Sequence, residues 1–534
     1  MSGVDTAVQQ VPCGVLNTDF QPTLDPAVIH RFLIGDDLKP VALTTDEASA
    51  QLGDPIATLL LLQGTFPKST DELLAGIQAA TPEGDPLRTV QSFIVGEASQ
   101  LPASADLQRK VSFLITLGGQ EVDIFISTDD PAGTFIEAMG WDRAAQGFNY
   151  YRTVQGAWVF AGNSRHALSG PTERSGAFET HRSGNVVMKE LRLPWVHWHS
   201  PTANIPDTAL AEDDPRRSHP LFTGKDAGGA YVLEPLVMAS IERWTQARFE
   251  QLTGADGDFE RPARVVEQIV DTPTVNLASS QRESGGVQAG EPLDLPPTFF
   301  INERAFSHPA LGLPAPPALA VDGALYLANL EQAGFHLEGF TAPNEGPQDN
   351  HFAFVVPEAA FEDFAALAKA LEVGLITPRL AAALLMVDFP NPVFSLRRRA
   401  LLARAPANAT ITGGTSDFSQ EFVDRINAAA PNTDEGSGER EFAELWAVGE
   451  AFKAPFGERL NAYYTALQQK LSTQDGYNDI VRLADSRRRA VGAKTQLVEF
   501  DLLFAKTTLP DEQLEMRPDA SVVVAAVADN APDA

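Results

Sequence analysis

Alternating apolar and polar positions predict β-hairpins in the first half of the chain. One pair of β-rich segments, Lys110–Leu117 and Gln120–Ser127, is joined at Gly118-Gly119, and a second pair is joined at Gln155-Gly156. β-Branched and apolar runs that flank a short Gly-containing turn are typical of hairpins. Two adjacent hairpins favour an antiparallel sheet over a doubly wound parallel one.

Apolar residues at helical spacing dominate the chain after about residue 230. The first such segment is Leu233–Leu252, and its positions predicted to be buried are Leu236, Ile241, Trp244 and Phe249. Further segments with this spacing are Glu358–Leu371, Pro378–Met386, Glu439–Phe452, Gly457–Leu471 and Tyr477–Ala490. The whole pattern predicts the α+β class, with an antiparallel, hairpin-rich N-terminal half and a largely helical C-terminal half.

The length of 534 residues predicts more than one core, because single hydrophobic cores stop growing near about 250–300 residues. The polar stretch 279–297 is rich in Gly, Ser and Pro and predicts a linker. We therefore expect a mixed α/β unit over 1–280 and a mainly helical unit over 298–510. Residues 511–534 are expected to form a weakly ordered tail, unless the apolar run Val522–Val527 docks as a strand.

A net charge of −31 and a pI near 4.6 narrow the range of partners. A field of this sign repels phosphate at long range, so nucleic acid and anionic membrane surfaces are disfavoured as partners. The acidity is itself consistent with a role in solubility.

The cysteine count and the length of the apolar runs limit the disulfides, the cysteine-based sites and the membrane spans that this chain can form. Cys13 is the only cysteine, which excludes an intramolecular disulfide, a Cys-based zinc ribbon and covalently attached haem. The longest apolar runs, such as Ile56–Leu62 and Ala381–Val387, are far shorter than the ~20 residues of a membrane span. The first residues have no basic region followed by an apolar one. We expect a cytoplasmic protein, although a removed signal would leave the same pattern.

Histidine and tryptophan are concentrated between residues 141 and 219. The histidines of this region are His166, His181, His197, His199 and His219, and its tryptophans are Trp141, Trp158, Trp195 and Trp198. The densest segment, 194–201, reads PWVHWHSP. In an extended strand, His197 and His199 share one face with Cα atoms about 6.6 Å apart, close enough to chelate one metal ion. Trp195 shares their face, and Trp198 points the other way.

Two imidazoles do not complete a metal site. Zinc takes three protein ligands plus water for catalysis, whereas non-haem iron takes two histidines and a carboxylate. Candidates for the missing ligand are His181, His166, His219, Glu179 and Glu190. The spacing leaves open both this choice and the identity of the metal among iron, copper and zinc. In the alternative interpretation, the histidines are exposed or hydrogen-bonded strand residues and the tryptophans are core.

The segment Ala177–His181, AFETH, resembles the CxxCH haem-attachment motif of c-type cytochromes, with alanine and threonine in place of the two cysteines. The resemblance covers about twenty residues. It implies non-covalent haem with His181 as an axial ligand and Met188 or another histidine opposite. Trp195 and Trp198 would then belong to the surroundings of the cofactor.

These residues predict a metal-dependent or haem-dependent enzyme, oxidative rather than hydrolytic, because a dry aromatic shell protects reactive intermediates. Tyr150 and Tyr151 are candidate proton or electron donors, and Glu190 is a candidate catalytic carboxylate, metal ligand or hydrogen-bond partner of a histidine. The expected substrate is a small apolar molecule. One alternative is a non-catalytic ligand-binding or assembly protein with a Trp-lined groove. Another is a metal-free enzyme that uses a His–carboxylate pair.

Two arginine triplets, Arg397–Arg399 and Arg487–Arg489, stand out in this acidic chain. Each triplet could bind an anionic ligand through bidentate contacts. The alternative is that they pair with nearby Asp and Glu side chains, which is the common use of arginine at a surface.

Overall fold

The structure is a computed structural model in which two compact units are apparent. The described residues of unit 1 lie within 24–95, 112–186 and 210–229, and those of unit 2 begin at Ala230. The described residues are 24–95, 112–168, 170–173, 175–179, 181, 183–186, 210–254, 256–270, 275–278, 287–335, 354–357, 362–393, 395–495 and 507–525. The boundaries predicted at 280 and 298 stay predictions, because much of the linker between them, 279–286, lies outside these residues.

Unit 1 contains an eight-stranded sheet with the order β2-β1-β8-β7-β6-β5-β4-β3. Its strands are β1 (His30–Arg31), β2 (Val41–Ala42), β3 (Val90–Val95), β4 (Ser112–Gly118), β5 (Val122–Thr128), β6 (Glu137–Asp142), β7 (Gly147–Val154) and β8 (Ala157–Asn163). The run from β3 to β8 is an antiparallel meander, and β1 joins β8 in parallel. The sheet is therefore mixed, with its parallel pair near one edge.

Both hairpins that the sequence predicts are present in this sheet. β4 pairs with β5 across the Gly118 turn, and β7 pairs with β8 around Gln155 and Gly156. Gln155 has φ 52° and Gly156 has φ 80°. Two successive positive φ angles are characteristic of a type I′ turn, which glycine and polar residues tolerate best. Local turn chemistry therefore fixes the register of β7 and β8 next to the turn, and the register shifts between Tyr150 and Tyr151.

Four helices lie in the described part of unit 1, and each begins with a side chain that caps its first turn. They are α1 (Thr45–Gln51), α2 (Pro55–Leu59), α3 (Thr70–Ala80) and α4 (Pro220–Thr223). Thr44 and Glu47 form a capping box at α1, and Asp54 caps α2. α2 packs against β5 and β6. Asp54 is thereby placed against the sheet.

Unit 2 is mainly helical. Its helices are α5 (Ala230–Leu252), α6 (Pro262–Val270), α7 (Glu303–Phe306), α8 (Gly323–Gln332), α9 (Glu362–Glu372), α10 (Pro378–Met386), α11 (Leu396–Ala400), α12 (Phe418–Ala429), α13 (Gly438–Ala447), α14 (Lys453–Leu471) and α15 (Gln474–Thr495). Together with the sheet of unit 1, these helices place the chain in the α+β class, as the sequence predicts.

Short strands connect distant parts of unit 2. They are β9 (Asp258–Glu260), β10 (Val275–Ala278), β11 (Pro292–Leu295), β12 (Leu319–Asp322), β13 (Phe354–Pro357), β14 (Asn408–Thr412), β15 (Thr415–Ser416), β16 (Leu514–Met516) and β17 (Val522–Val524). β14 pairs with β15 and with β9, and the other pairs are β10–β13, β11–β12 and β16–β17. The run 522–527, for which a docked strand was the alternative to a weakly ordered tail, thus contains the strand β17.

Some predicted helices have the observed bounds, and others differ at one end or in their buried positions. α10 has the predicted bounds, and residues 380–386 of it are all buried. α13 ends at Ala447, five residues before the predicted Phe452, because Gly449 has φ 78° and terminates the helix. In α5, Leu236 is only half-buried and Val237 takes the core position instead.

Part of each arginine triplet is buried in unit 2. Arg398 and Arg487 are 3% and 6% exposed, and their guanidinium groups donate mainly to backbone carbonyl oxygens. Other members pair with acids, as Arg397 does with Asp388 and Arg489 with Asp485. In the described part of the chain the triplets thus combine ion pairing with capping of buried carbonyls.

No helix among the described residues has both the length and the apolar character needed to cross a membrane.

Candidate functional site

Five of the candidate site residues lie within the described part of the chain, and all five belong to unit 1. They are Tyr150, Tyr151, His166, His181 and His219. Six others lie outside the described residues. They are Met188, Glu190, Trp195, His197, Trp198 and His199.

The two adjacent tyrosines of β7 have different environments. Successive side chains of a strand point to opposite faces. Tyr151 contacts Trp158 and Phe160 at ring-centroid distances of 6.0 and 5.8 Å. Tyr150 packs instead against Phe178, at 5.4 Å and 87°. Both are buried, so the sequence places two phenols inside unit 1 on separate sides of the sheet.

Tyr151 donates its hydroxyl hydrogen to Asp54, which is fully buried. Asn149 Nδ2 donates to the same carboxylate oxygen at 2.8 Å. The other oxygen accepts the backbone N–H groups of Ile56 and Ala57 at 3.0 and 3.2 Å. This carboxylate therefore ties the first turn of α2 to β7.

Burial sets the proton affinities of this pair. Desolvation raises the pKa of Asp54, and the hydrogen bonds from Tyr151, Asn149 and the α2 backbone act in the opposite direction. Burial, followed by the charge of Asp54, raises the pKa of Tyr151 well above its usual value. Tyr151 is therefore a protonated donor at neutral pH, and its hydrogen is directed to Asp54.

Tyr150 and His181 meet at one carbonyl oxygen. His181 Nδ1 lies 2.8 Å from the backbone oxygen of Asn185, and Tyr150 donates its hydroxyl hydrogen to the same oxygen at 3.1 Å. The two rings are 5.0 Å apart at 45°. A carbonyl oxygen only accepts, so the proton of neutral His181 is on Nδ1 and the lone pair is on Nε2.

His166 and His219 have the opposite tautomer. His166 Nδ1 accepts the backbone N–H of Asn163 at 3.0 Å. His219 Nδ1 accepts the N–H of Leu221 at 3.2 Å, and its Nε2 lies 3.1 Å from Asp71. In both neutral rings the proton is therefore on Nε2. A metal ion at either Nε2 would displace this proton and the local hydrogen bond at Nδ1.

Trp141 and Trp158 are core residues, 2% and 0% exposed. Trp141 packs edge-on against Phe148 at 4.8 Å, and Trp158 Nε1 donates to the backbone oxygen of Pro67 at 2.8 Å. For these two tryptophans, the interpretation as core residues is the one that the contacts support.

The described residues contain no group of three or more His, Cys, Asp or Glu side chains arranged to hold a metal ion. Of the candidates for the missing ligand, Glu190 and the side chain of Glu179 lie outside the described residues.

The chain matches no protein-family model, no curated protein and no solved structure.

Two residues central to this geometry were not identified from the sequence. Asp54 had a usable signal, because an Asp before Pro55 at a helix start is a typical N-cap. Asn185 contributes a backbone oxygen, and any residue type supplies one. Its position depends on the turn that returns the chain to His181.

Two histidines near the parallel edge of the sheet couple the stability of unit 1 to pH. Burial lowers the pKa of His30, with Asp25 acting in the opposite direction. Burial, followed by the charge of Arg31, lowers the pKa of His166, while Asp36 and Asp37 raise it. Both folded-state pKa values therefore lie below the usual 6.5 of the unfolded chain.

Below about pH 6.5, the unfolded state binds more protons at these two histidines than the folded state does. Their contribution to the free energy of unfolding is therefore complete above about pH 6.5 and is lost as the pH falls below it. The slope is at most about 1.4 kcal/mol per pH unit for each histidine. We expect the urea midpoint of unit 1 to fall between pH 7.5 and 5.5, as followed by tryptophan fluorescence. The His30→Gln/His166→Gln double variant should show a flatter profile. An equally steep profile in that variant would contradict this assignment.

Proposed function

We propose that the protein is a metal-dependent or haem-dependent enzyme, oxidative rather than hydrolytic, with its site built around His197 and His199. We propose further that His181 supplies another ligand. The expected cofactor is iron, copper or zinc, or non-covalent haem, and the expected substrate is a small apolar molecule. One cysteine in 534 residues suits a reducing compartment, so we extend the proposal to a cytoplasmic location.

The observation that supports this proposal is the tautomer of His181. Metal-ligating histidines donate the N–H of one ring nitrogen to a carbonyl or carboxylate and bind the metal through the other nitrogen. His181 has the first half of this arrangement, because its Nδ1–H donates to Asn185 at 2.8 Å. His166 and His219 instead accept a backbone N–H at Nδ1, although His219 Nε2 also lies 3.1 Å from the Asp71 carboxylate. Spacing in the sequence left these histidines equivalent, and the hydrogen bonds favour His181.

A bound transition metal would supply redox chemistry or polarise a bound substrate. The residues of this chain would hold it and exclude water. His181 is 8% exposed and lies beside the buried ring of Tyr150, which in turn packs against Phe178. An apolar wall of this kind fits an apolar substrate and lowers the local dielectric. Glu190 keeps its proposed role as a carboxylate ligand or proton acceptor.

Metal content tests the proposal directly. Protein purified without added metal is expected to contain a transition metal or to show a Soret band. Replacing His181, His197 or His199 by Gln should lower the metal content more than about tenfold, since each change removes a ligand. His166→Gln and His219→Gln are matched controls that should retain the wild-type content. Elemental analysis and visible absorption give the readout.

Two outcomes would reject the proposal. In the first, the wild type has less than about a tenth of an equivalent of any transition metal and no Soret band. In the second, the two control variants lose as much metal as His181→Gln. After the first outcome, the alternative of a non-catalytic ligand-binding or assembly protein would apply. It predicts that His197→Gln and His199→Gln leave ligand binding and the melting temperature unchanged.

A further inference from the structure

The turn that follows His181 is held in place from several sides. The Gly184 N–H donates to the His181 oxygen at 2.8 Å, and Gly184 has φ 70°. A Cβ atom at this position would lie 2.3 Å from the Ser164 oxygen, so only glycine fits. The hydroxyl of Ser164, a fully buried residue, donates to the Gly184 oxygen at 2.6 Å. This turn directs the next carbonyl, that of Asn185, back to His181.

The Asn185 carbonyl accepts from two side chains at once. A carbonyl oxygen has two lone pairs, and here one is directed to His181 Nδ1–H and the other to the Tyr150 hydroxyl. The side-chain oxygen of Asn185 in turn accepts its neighbour's backbone N–H, that of Val186, at 2.9 Å. The tyrosine is a buried residue of the central strand β7, so the Asn185 carbonyl that meets His181 is also hydrogen-bonded to the sheet.

We propose that Tyr150 is a positioning residue that holds His181, through the Asn185 carbonyl, with its lone pair on Nε2. This differs from the proton or electron donor that the sequence analysis assigned to Tyr150. The hydroxyl hydrogen of Tyr150 already forms a hydrogen bond with the backbone carbonyl of Asn185. The ring itself is 3% exposed and packs at 87° against Phe178.

The consequence for metal binding rests on the proposed function; the tautomer itself does not. Partners that orient a ligating histidine typically change metal affinity by about 10–100-fold when they are removed. Tyr150 acts one hydrogen bond further out than Asn185. We therefore expect an effect near the lower end, about tenfold.

The test compares Tyr150→Phe with Tyr151→Phe in the full chain. Both changes remove one buried hydroxyl from adjacent positions of β7, but Tyr151 donates to Asp54, away from His181. The first readout is the ring ¹⁵N spectrum of ¹⁵N-histidine-labelled, metal-free protein, with the His181 signal assigned from His181→Gln. The second is the dissociation constant for Zn²⁺ and Fe²⁺.

In the wild type, the His181 signals should show the Nδ1–H tautomer. Tyr150→Phe should shift them toward tautomer-averaged values and weaken metal binding about tenfold, and Tyr151→Phe should change neither. An Nε2–H tautomer in the wild type overturns the positioning role, even if the variant fails to fold. Identical His181 spectra in Tyr150→Phe and wild type also overturn it. If the wild type binds no metal, the proposed function fails, and the metal-free spectra alone decide the role of Tyr150.

Discussion

Replacing Arg398 by methionine is expected to lower the free energy of unfolding of unit 2 by about 3–5 kcal/mol. The guanidinium group lies in the interior and donates to five backbone oxygens. These belong to Val270, Val387, Asp388, Asn391 and Pro392, at 2.8 to 3.3 Å. Methionine fills similar volume but leaves these acceptors without their donor, and each buried carbonyl that loses its partner is destabilising.

Urea unfolding, followed by far-UV circular dichroism, measures this effect. Arg425→Met is the control, because Arg425 forms an exposed i,i+4 pair with Glu421 on α12. Such pairs contribute little, so the midpoint of the control should remain near that of the wild type. Arg398→Lys should fall between the two, since an ammonium group has three donors and no planar fork. Equal midpoints for Arg398→Met and Arg425→Met would show that the buried network adds nothing.

The burial of Arg398 explains why the triplets were difficult to interpret from the sequence. Local composition around Arg397–Arg399 is that of a charged surface segment. The acceptors that bury the central guanidinium include the carbonyl of Val270, 128 residues earlier in the chain. Arg487 likewise reaches Phe299, 188 residues away. Backbone oxygens have no residue signature, so these contacts are apparent only in the folded chain.

Elements that depend on local chemistry were predictable. The β7–β8 hairpin follows from Gln155 and Gly156, and the start of α10 follows from Thr377 and Pro378, a capping residue before a proline. The pairing of β9 with β14 was not predictable. These short strands are separated by about 150 residues, and three to five residues have too little periodicity to identify a partner.

The candidate site likewise has some features that follow from local sequence and others that depend on the folded chain. Strand periodicity predicts that Tyr150 and Tyr151 lie on opposite faces, and their different ring contacts agree with this despite the register shift between them. The choice among His166, His181 and His219 depends on which ring nitrogen meets a carbonyl and which meets an N–H group. That distinction follows from turn geometry and has no sequence signal. The pair His197 and His199 remains a prediction.

The second large effect is expected for Asp54→Ala, which should lower the free energy of unfolding of unit 1 by about 3–5 kcal/mol. The change leaves four buried donors without an acceptor. They are the Tyr151 hydroxyl, Asn149 Nδ2 and the backbone N–H groups of Ile56 and Ala57. Asp46→Ala, at an exposed position in the first turn of α1, is the control and should leave the urea midpoint unchanged.

A double-mutant cycle with Tyr151→Phe tests whether the carboxylate and the phenol act as a unit. In the Asp54→Ala background, removing the Tyr151 hydroxyl also removes a donor that has lost its acceptor, so the second change should cost less than it does in the wild type. We expect the sum of the two single losses in the free energy of unfolding to exceed the loss in the double variant by about 1–2 kcal/mol. This is within the range measured for directly bonded pairs. Costs that add to within about 0.5 kcal/mol would instead mean that the contact between Tyr151 and Asp54 is energetically incidental. The contribution of Asp54 to the stability of α2 on the sheet would then depend on the backbone cap and on the hydrogen bond from Asn149.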